Sequence, residues 1–147
     1  MENQAKLIEV LLVEDDPQDV EITKEVMELS KVRLNVNVVE NGAEALAFLR
    51  KESPFENAIR PDLILLDLNM PKMNGKEFLE EMKKDDNLRL IPVVILTTSK
   101  AEEDIVKTYK LGASCYVTKP VGLEQFQKVV QAVDNFWFTV VKYPSVN

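Results

Sequence analysis

Acidic residues stand where a folded chain could use them together. Glu14, Asp15 and Asp16 follow one apolar run, and Asp67 closes another. Two further apolar segments end in Thr97-Thr98 and in Lys119-Pro120. Brought into one pocket, these carboxylates would crowd and repel, and a hard divalent cation would relieve them, since carboxylate oxygen is its preferred ligand. Magnesium held by few carboxylates keeps waters or accepts phosphate oxygens. A carboxylate beside that ion is a nucleophile toward phosphorus, with an aspartyl phosphate as product. Lys119 would neutralise one phosphoryl oxygen and Thr97 would donate a hydrogen bond to another. Singly, each residue has a plainer use: Asp67 as a cap, Thr97 at a strand end, Lys119 in a salt bridge. Their joint placement at the ends of four separate elements is what points to a site.

What the chain lacks narrows the chemistry. It has no histidine and one cysteine, Cys115. That excludes His-ligated zinc, a Ser-His-Asp triad, a His general base and an internal disulfide. Any metal must be held by oxygen. Lys and Arg number 18 against 25 Asp and Glu, a net charge of −7, which argues against nucleic acid as the partner. The 147 residues, 46% apolar and 29% charged, make about one globular domain. The polar start, residues 1–6, is unlike a signal peptide, and no apolar run approaches the roughly 20 residues needed to span a bilayer. The expectation is a cytoplasmic protein with no membrane partner.

The elements that would position these residues alternate strictly. Apolar runs at 8–13, 34–39, 62–68, 91–96 and 114–118 read as strands, with Pro92 at the start of the fourth. LILL within 62–68 has the continuous apolarity of a strand buried on both faces. Helical spacing covers 17–29, 43–51, 76–84, 102–111 and 123–141. Asp16 is the expected N-cap of the first helix, with Val20, Ile22, Val26, Met27 and Leu29 as its apolar members. Gly75 suits the turn into the third helix. Phe78, Leu79 and Met82 there are core residues by spacing, and Cys115 is a small core residue. Five strands alternating with five helices imply an α/β fold with a parallel sheet covered on both faces. In such a sheet, ligands bind outside the carboxyl ends of the strands, where the reactive residues lie.

The segments LLVEDDPQD, DLILLDLNMPKMNG, PVVILTTS and GASCYVTKP carry a resemblance. From about residue 8 to 134 the chain resembles the receiver domain of two-component response regulators. The resemblance implies a doubly wound, five-stranded flavodoxin-like sheet of order 2-1-3-4-5. It implies Asp67 as phosphoacceptor. Glu14, Asp15, Asp67 and the backbone carbonyl of Asn69 would form the shell of magnesium, for which manganese could substitute. Thr97 matches the switch hydroxyl, Lys119 the phosphate-binding lysine, Tyr116 the aromatic that moves with the switch, and Thr98 a small-residue position that leaves access open. The Lys119-Pro120 bond would be cis. Glu14 stands where many receivers have Asp. The segments KESPFENAIRPD and FWFTVVKYP further resemble single-domain response regulators paired with phytochrome-type histidine kinases.

Other classes fit less well. A phosphohydrolase of the haloacid dehalogenase type usually needs an Asp two residues beyond its nucleophile, where Asn69 stands, and a cap domain. A flavodoxin-like electron carrier needs a phosphate-binding loop after the first strand, where EDDPQD has the opposite charge. A degenerate receiver serving only as a scaffold would not need the intact acidic trio, Thr97 and Lys119. The reading is a stand-alone switch with a histidine kinase upstream and a protein target downstream, in a receiver domain of 1–134 and a C-terminal extension of 135–147. The last helix carries Phe126, Val129, Val130, Val133, Phe136, Trp137, Val140 and Val141 as one wide apolar stripe. That stripe is expected to join two copies as a homodimer, with Trp137 and Phe138 as anchors.

Overall fold

The computed structural model describes residues 7–29, 33–68, 73–97, 110, 115–118 and 128. Each apolar run read as a strand is one: β1 (Ile8–Val13), β2 (Leu34–Val39), β3 (Leu63–Asp67), β4 (Val93–Thr97) and β5 (Cys115–Thr118). They form one sheet in the order β2-β1-β3-β4-β5, and every pairing is parallel. Helices α1 (Pro17–Glu28), α2 (Gly42–Leu49) and α3 (Gly75–Lys83) follow β1, β2 and β3, and a single 3-10 turn (Leu88–Leu90) precedes β4. This is the α/β order that the resemblance implied.

Side-chain alternation along the central strands builds two cores. Leu11, Val13, Ile64, Leu66 and Ile95 meet Ala45, Leu46 and Phe48 of α2 and Phe78, Leu79 and Met82 of α3 on one face. Val10, Leu12, Leu63, Leu65 and Val94 pack with Met27 of α1 on the other. All five residues of β3 are buried, as its unbroken apolar run requires. Phe78 is wholly enclosed, so truncating it to alanine would cost about 3–5 kcal/mol. Glu9, which interrupts the apolar run of β1, is satisfied at the amino end of the sheet. Its backbone N–H donates to Asp62 Oδ2 at 2.9 Å, and its side chain accepts from Asn35 Nδ2 at 2.8 Å.

Local chemistry explains where elements start and stop, and corrects several expected bounds. Asp16 caps α1 as expected, its Oδ1 accepting from the Gln18 N–H at 2.8 Å ahead of Pro17. Of the apolar members assigned to α1, Ile22 and Leu29 are exposed, and Thr23 is buried instead. Leu29 is the C-cap, so the helix ends one residue early. α2 ends at Leu49 rather than 51, because Lys51 takes φ 57°, the left-handed region. The Lys51 N–H donates to the Phe48 carbonyl at 3.2 Å and the Glu52 N–H to that of Ala47 at 2.9 Å. That paired closure normally uses glycine at the left-handed position, which is why the sequence conceals it. β4 begins at Val93, one residue past Pro92, whose carbonyl still accepts from the Ile64 N–H at 3.0 Å. Of the helices expected at 102–111 and 123–141, Lys110 and Lys128 are described, and both are helical and exposed. The extension at 135–147 and the Lys119-Pro120 bond lie outside the described residues. Among those residues, no helix is long and apolar enough to cross a membrane.

Candidate functional site

The parallel register brings the strand ends level. Val13 pairs with Leu66, so Glu14 emerges beside Asp67. Asp67 pairs with Leu96, and Thr97 with Thr118, one residue before Lys119. At this end, carboxylate oxygens of Glu14, Asp15 and Asp67 all lie within 4.8 Å of one another. Glu14 and Asp67 form the floor, only 1% and 5% exposed, and Asp15 stands open at the mouth. Magnesium takes oxygen at about 2.0–2.1 Å, so oxygens on opposite sides of it stand about 4 Å apart, close to the spread seen here. An all-oxygen donor set of this size fits a hard divalent cation.

Backbone hydrogen bonds hold the floor. The Glu14 N–H donates to the Val39 carbonyl at 3.0 Å, tying the end of β1 to the end of β2. Glu14 Oε2 accepts from the Asp16 N–H at 3.2 Å. Asp16 turns its own carboxylate to α1 and stays out of the cluster. Burying a carboxylate is costly unless donors or a cation compensate it, and the Asp16 N–H, just ahead of α1, is one such donor to Glu14.

Two helix starts complete the surround, and the same four-residue pattern builds both. Asn41-Gly42-Ala43-Glu44 opens α2, and Asn74-Gly75-Lys76-Glu77 opens α3. Asn41 Oδ1 accepts from the Glu44 N–H at 2.9 Å, and Asn74 Oδ1 from the Glu77 N–H at 3.0 Å. The Glu77 carboxylate in turn accepts from the Asn74 N–H at 3.0 Å, completing a capping box. Glu44 reaches one residue further back, to the Glu40 N–H at 2.9 Å. Gly75 then presses on the backbone at Asp67, and Gly42 on Met73, two residues before Gly75. The Gly75 N–H donates to the Leu68 carbonyl at 3.1 Å, and a Cβ at Gly75 would stand 2.7 Å from the Asp67 carbonyl oxygen. The Gly42 N–H donates to the Met73 carbonyl at 2.9 Å, and a Cβ there would stand 2.7 Å from that oxygen.

The acidic trio read from the sequence is therefore assembled. Thr97 and Tyr116 lie on β4 and β5, with Tyr116 in register with Ile95; Asn69, Thr98 and Lys119 lie outside the described residues. Sequence reading gave Gly75 a turn role, whereas close approach to Asp67 is what requires it. It missed Asn41, Gly42 and Asn74. The repeated N-G-x-E pattern was the available signal for the two helix starts.

Comparison with known proteins gives a consistent result. Residues 10–131 match the response regulator receiver domain. The response regulator Rcp1 of Synechocystis is 42% identical over 136 residues, covering 92% of each chain. The crystal structure of the phosphorylated cyanobacterial phytochrome response regulator RcpA aligns with a TM-score of 0.78 at 44% identity, over 95% of this chain and all of that one. The manganese-bound form of Rcp1 aligns with a TM-score of 0.76 at 41% identity, over 94% of this chain and 99% of that one.

Proposed function

Because this chain belongs to the response regulator receiver family, we propose that it is a phosphorylation switch whose Asp67 accepts a phosphoryl group from a phosphohistidine on a histidine kinase. An Asp67 carboxylate oxygen attacks phosphorus, and the bond from phosphorus to the imidazole nitrogen breaks. The imidazole then takes up a proton from water. Glu14, Asp15, Asp67 and the backbone carbonyl of Asn69 would hold magnesium, or manganese in its place. The ion, when bound, supplies positive charge against the phosphoryl oxygens. Lys119 carries the balancing ammonium and Thr97 the hydroxyl that follows the phosphoryl group. Tyr116 then fills the space that Thr97 leaves, which reshapes the β4–β5 side. The protein does no turnover chemistry beyond its own phosphorylation and slow hydrolysis of the aspartyl phosphate.

The observation that carries this reading is the convergence of three carboxylates from two adjacent strand ends within 4.8 Å. Likeness to Rcp1 and RcpA supports a phytochrome-type kinase as donor, and the manganese-bound Rcp1 supports the metal. Such a kinase draws on ATP, so the cytoplasm is the place of action. The output is contact with a protein target, and the apolar extension at 135–147 joins two copies as a homodimer. Incubation with a phytochrome-type histidine kinase and labelled ATP tests the central step. Base-labile label should appear on the native chain and be absent from Asp67→Asn. A variant that labels normally would move the acceptor elsewhere.

A further inference from the structure

Gly42 sits at the start of α2 and supplies no atom to the acidic cluster, yet its contacts lead straight to it. Its N–H holds the Met73 carbonyl at 2.9 Å. Two residues on, the Gly75 N–H holds the Leu68 carbonyl at 3.1 Å, with the Asp67 carbonyl against its α-carbon. Met73, Asn74 and Gly75 are thus clamped between the start of α2 and the backbone of Asp67. The other end of the clamp is anchored too. Asn41 is 5% exposed and caps α2, and the carbonyl of Val39, the last residue of β2, receives the Glu14 N–H. A closed path of backbone contacts runs from Glu14 through β2 and α2 to Asp67.

We infer that Gly42 is a positioning residue for phosphotransfer, setting the place of Asp67 through the Met73–Gly75 segment. The inference rests on Asp67 being the phosphoacceptor. A side chain at position 42 cannot be accommodated where it stands, because its Cβ would meet the Met73 carbonyl oxygen at 2.7 Å and Met73 Cγ at 2.8 Å. The flexible Met73 side chain can move aside. The carbonyl moves only with the backbone of its segment, and that backbone bears on Asp67. Displacements well below an ångström at a nucleophile matter, since a misplacement of about 1 Å can cost a hundredfold in rate.

The test uses the full chain with acetyl phosphate as donor at saturating magnesium. Gly42→Ala should label about tenfold more slowly than the native chain. Met27→Ala, which opens the core on the opposite face of the sheet, lowers stability without touching this path and should label at the native rate. A second measurement needs no variant. If this path holds the acidic cluster together, opening at Gly42 disrupts the magnesium site, so magnesium at a hundred times its dissociation constant should slow amide exchange of the native Gly42 N–H about fivefold or more. A native rate in Gly42→Ala, an equal loss in Met27→Ala, or unchanged Gly42 exchange would each overturn the inference. Labelling of Asp67→Asn would instead overturn the phosphoacceptor assignment and take the inference with it.

Discussion

Gly75 lies directly against the backbone of Asp67: its N–H bonds the next carbonyl along, that of Leu68, and a Cβ on it would reach within 2.7 Å of the Asp67 carbonyl oxygen. For the phosphoacceptor proposed above this matters, because its backbone is backed by a capped helix start and orientation is a large share of what a protein contributes to phosphoryl transfer.

Gly75→Ala is therefore expected to damage both folding and function. Overpacking of this kind costs about 1–3 kcal/mol, which urea denaturation would read as a lower midpoint at unchanged slope. Labelling by acetyl phosphate should slow beyond what the stability loss explains. A variant with native midpoint and native rate would contradict the contact.

Asp15 is the exposed member of the acidic trio, so its removal should separate metal binding from folding. Asp15→Ala should leave the metal-free melting temperature unchanged or slightly raised, since one like charge is gone. In the native chain, magnesium at a hundred times its dissociation constant should add about 2.7 kcal/mol of stability, reversed by EDTA. The variant should lose most of that gain at the same concentration. Melting curves with and without magnesium check both statements.

An open apolar shelf lies on the first turns of α1, the helix that follows Glu14 and Asp15 in the chain. Pro17, Gln18, Glu21 and Ile22 line a shallow hollow on α1, and Ile22 is 43% exposed. On the proposed function, a kinase seated on the start of α1 would cover this hollow, whereas a small donor would not. Ile22→Glu should slow labelling by the kinase roughly tenfold, the effect of losing about 1.4 kcal/mol of contact, and leave labelling by acetyl phosphate unchanged. Equal loss with both donors would argue against a docking role.

Asp85 braces the turn ahead of β4. Its Oδ1 accepts from the Leu88 N–H at 3.1 Å and the Asn87 N–H at 2.9 Å, and these bonds lower its pKa from the ordinary aspartate value. A carboxyl depressed in the folded state stabilises above the unfolded pKa, and the benefit goes as pH falls through the folded pKa. Native and Asp85→Asn proteins should thus differ in urea midpoint at pH 6, and the difference should shrink as pH falls below 3.8, the ordinary aspartate value. A difference that stays constant as pH falls below 3.8 would assign the effect to something other than this ionisation.

The sheet and its acidic trio were legible because both rest on short-range signals. LILL announces a strand buried on both faces, and the parallel-sheet rule sends Glu14, Asp15 and Asp67 to one edge. Asp16-Pro17 announces the start of α1 just as directly. The end of α2 was not legible, because Lys51 adopts a conformation that its side chain disfavours and only the surrounding hydrogen bonds impose. Ile22 and Leu29 misled for a different reason, since helical spacing marks a stripe but not which edge of it the neighbouring strands cover. Gly42 was invisible because its meaning lies in a contact with Met73, thirty-one positions away. No local pattern reports that.

The two glycine contacts also bear on how the chain can vary. In each, an obstructing atom is a main-chain oxygen, carried by every amino acid. A clash between side chains can be suppressed by trimming the partner, so such pairs drift together across a lineage. At positions 42 and 75 no exchange at Met73 or Asp67 removes the obstructing oxygen. Second-site suppressors of Gly42→Ala or Gly75→Ala should therefore be absent from the contacting residues. A selection for restored signalling should return reversion to glycine, or changes that reroute the backbone itself.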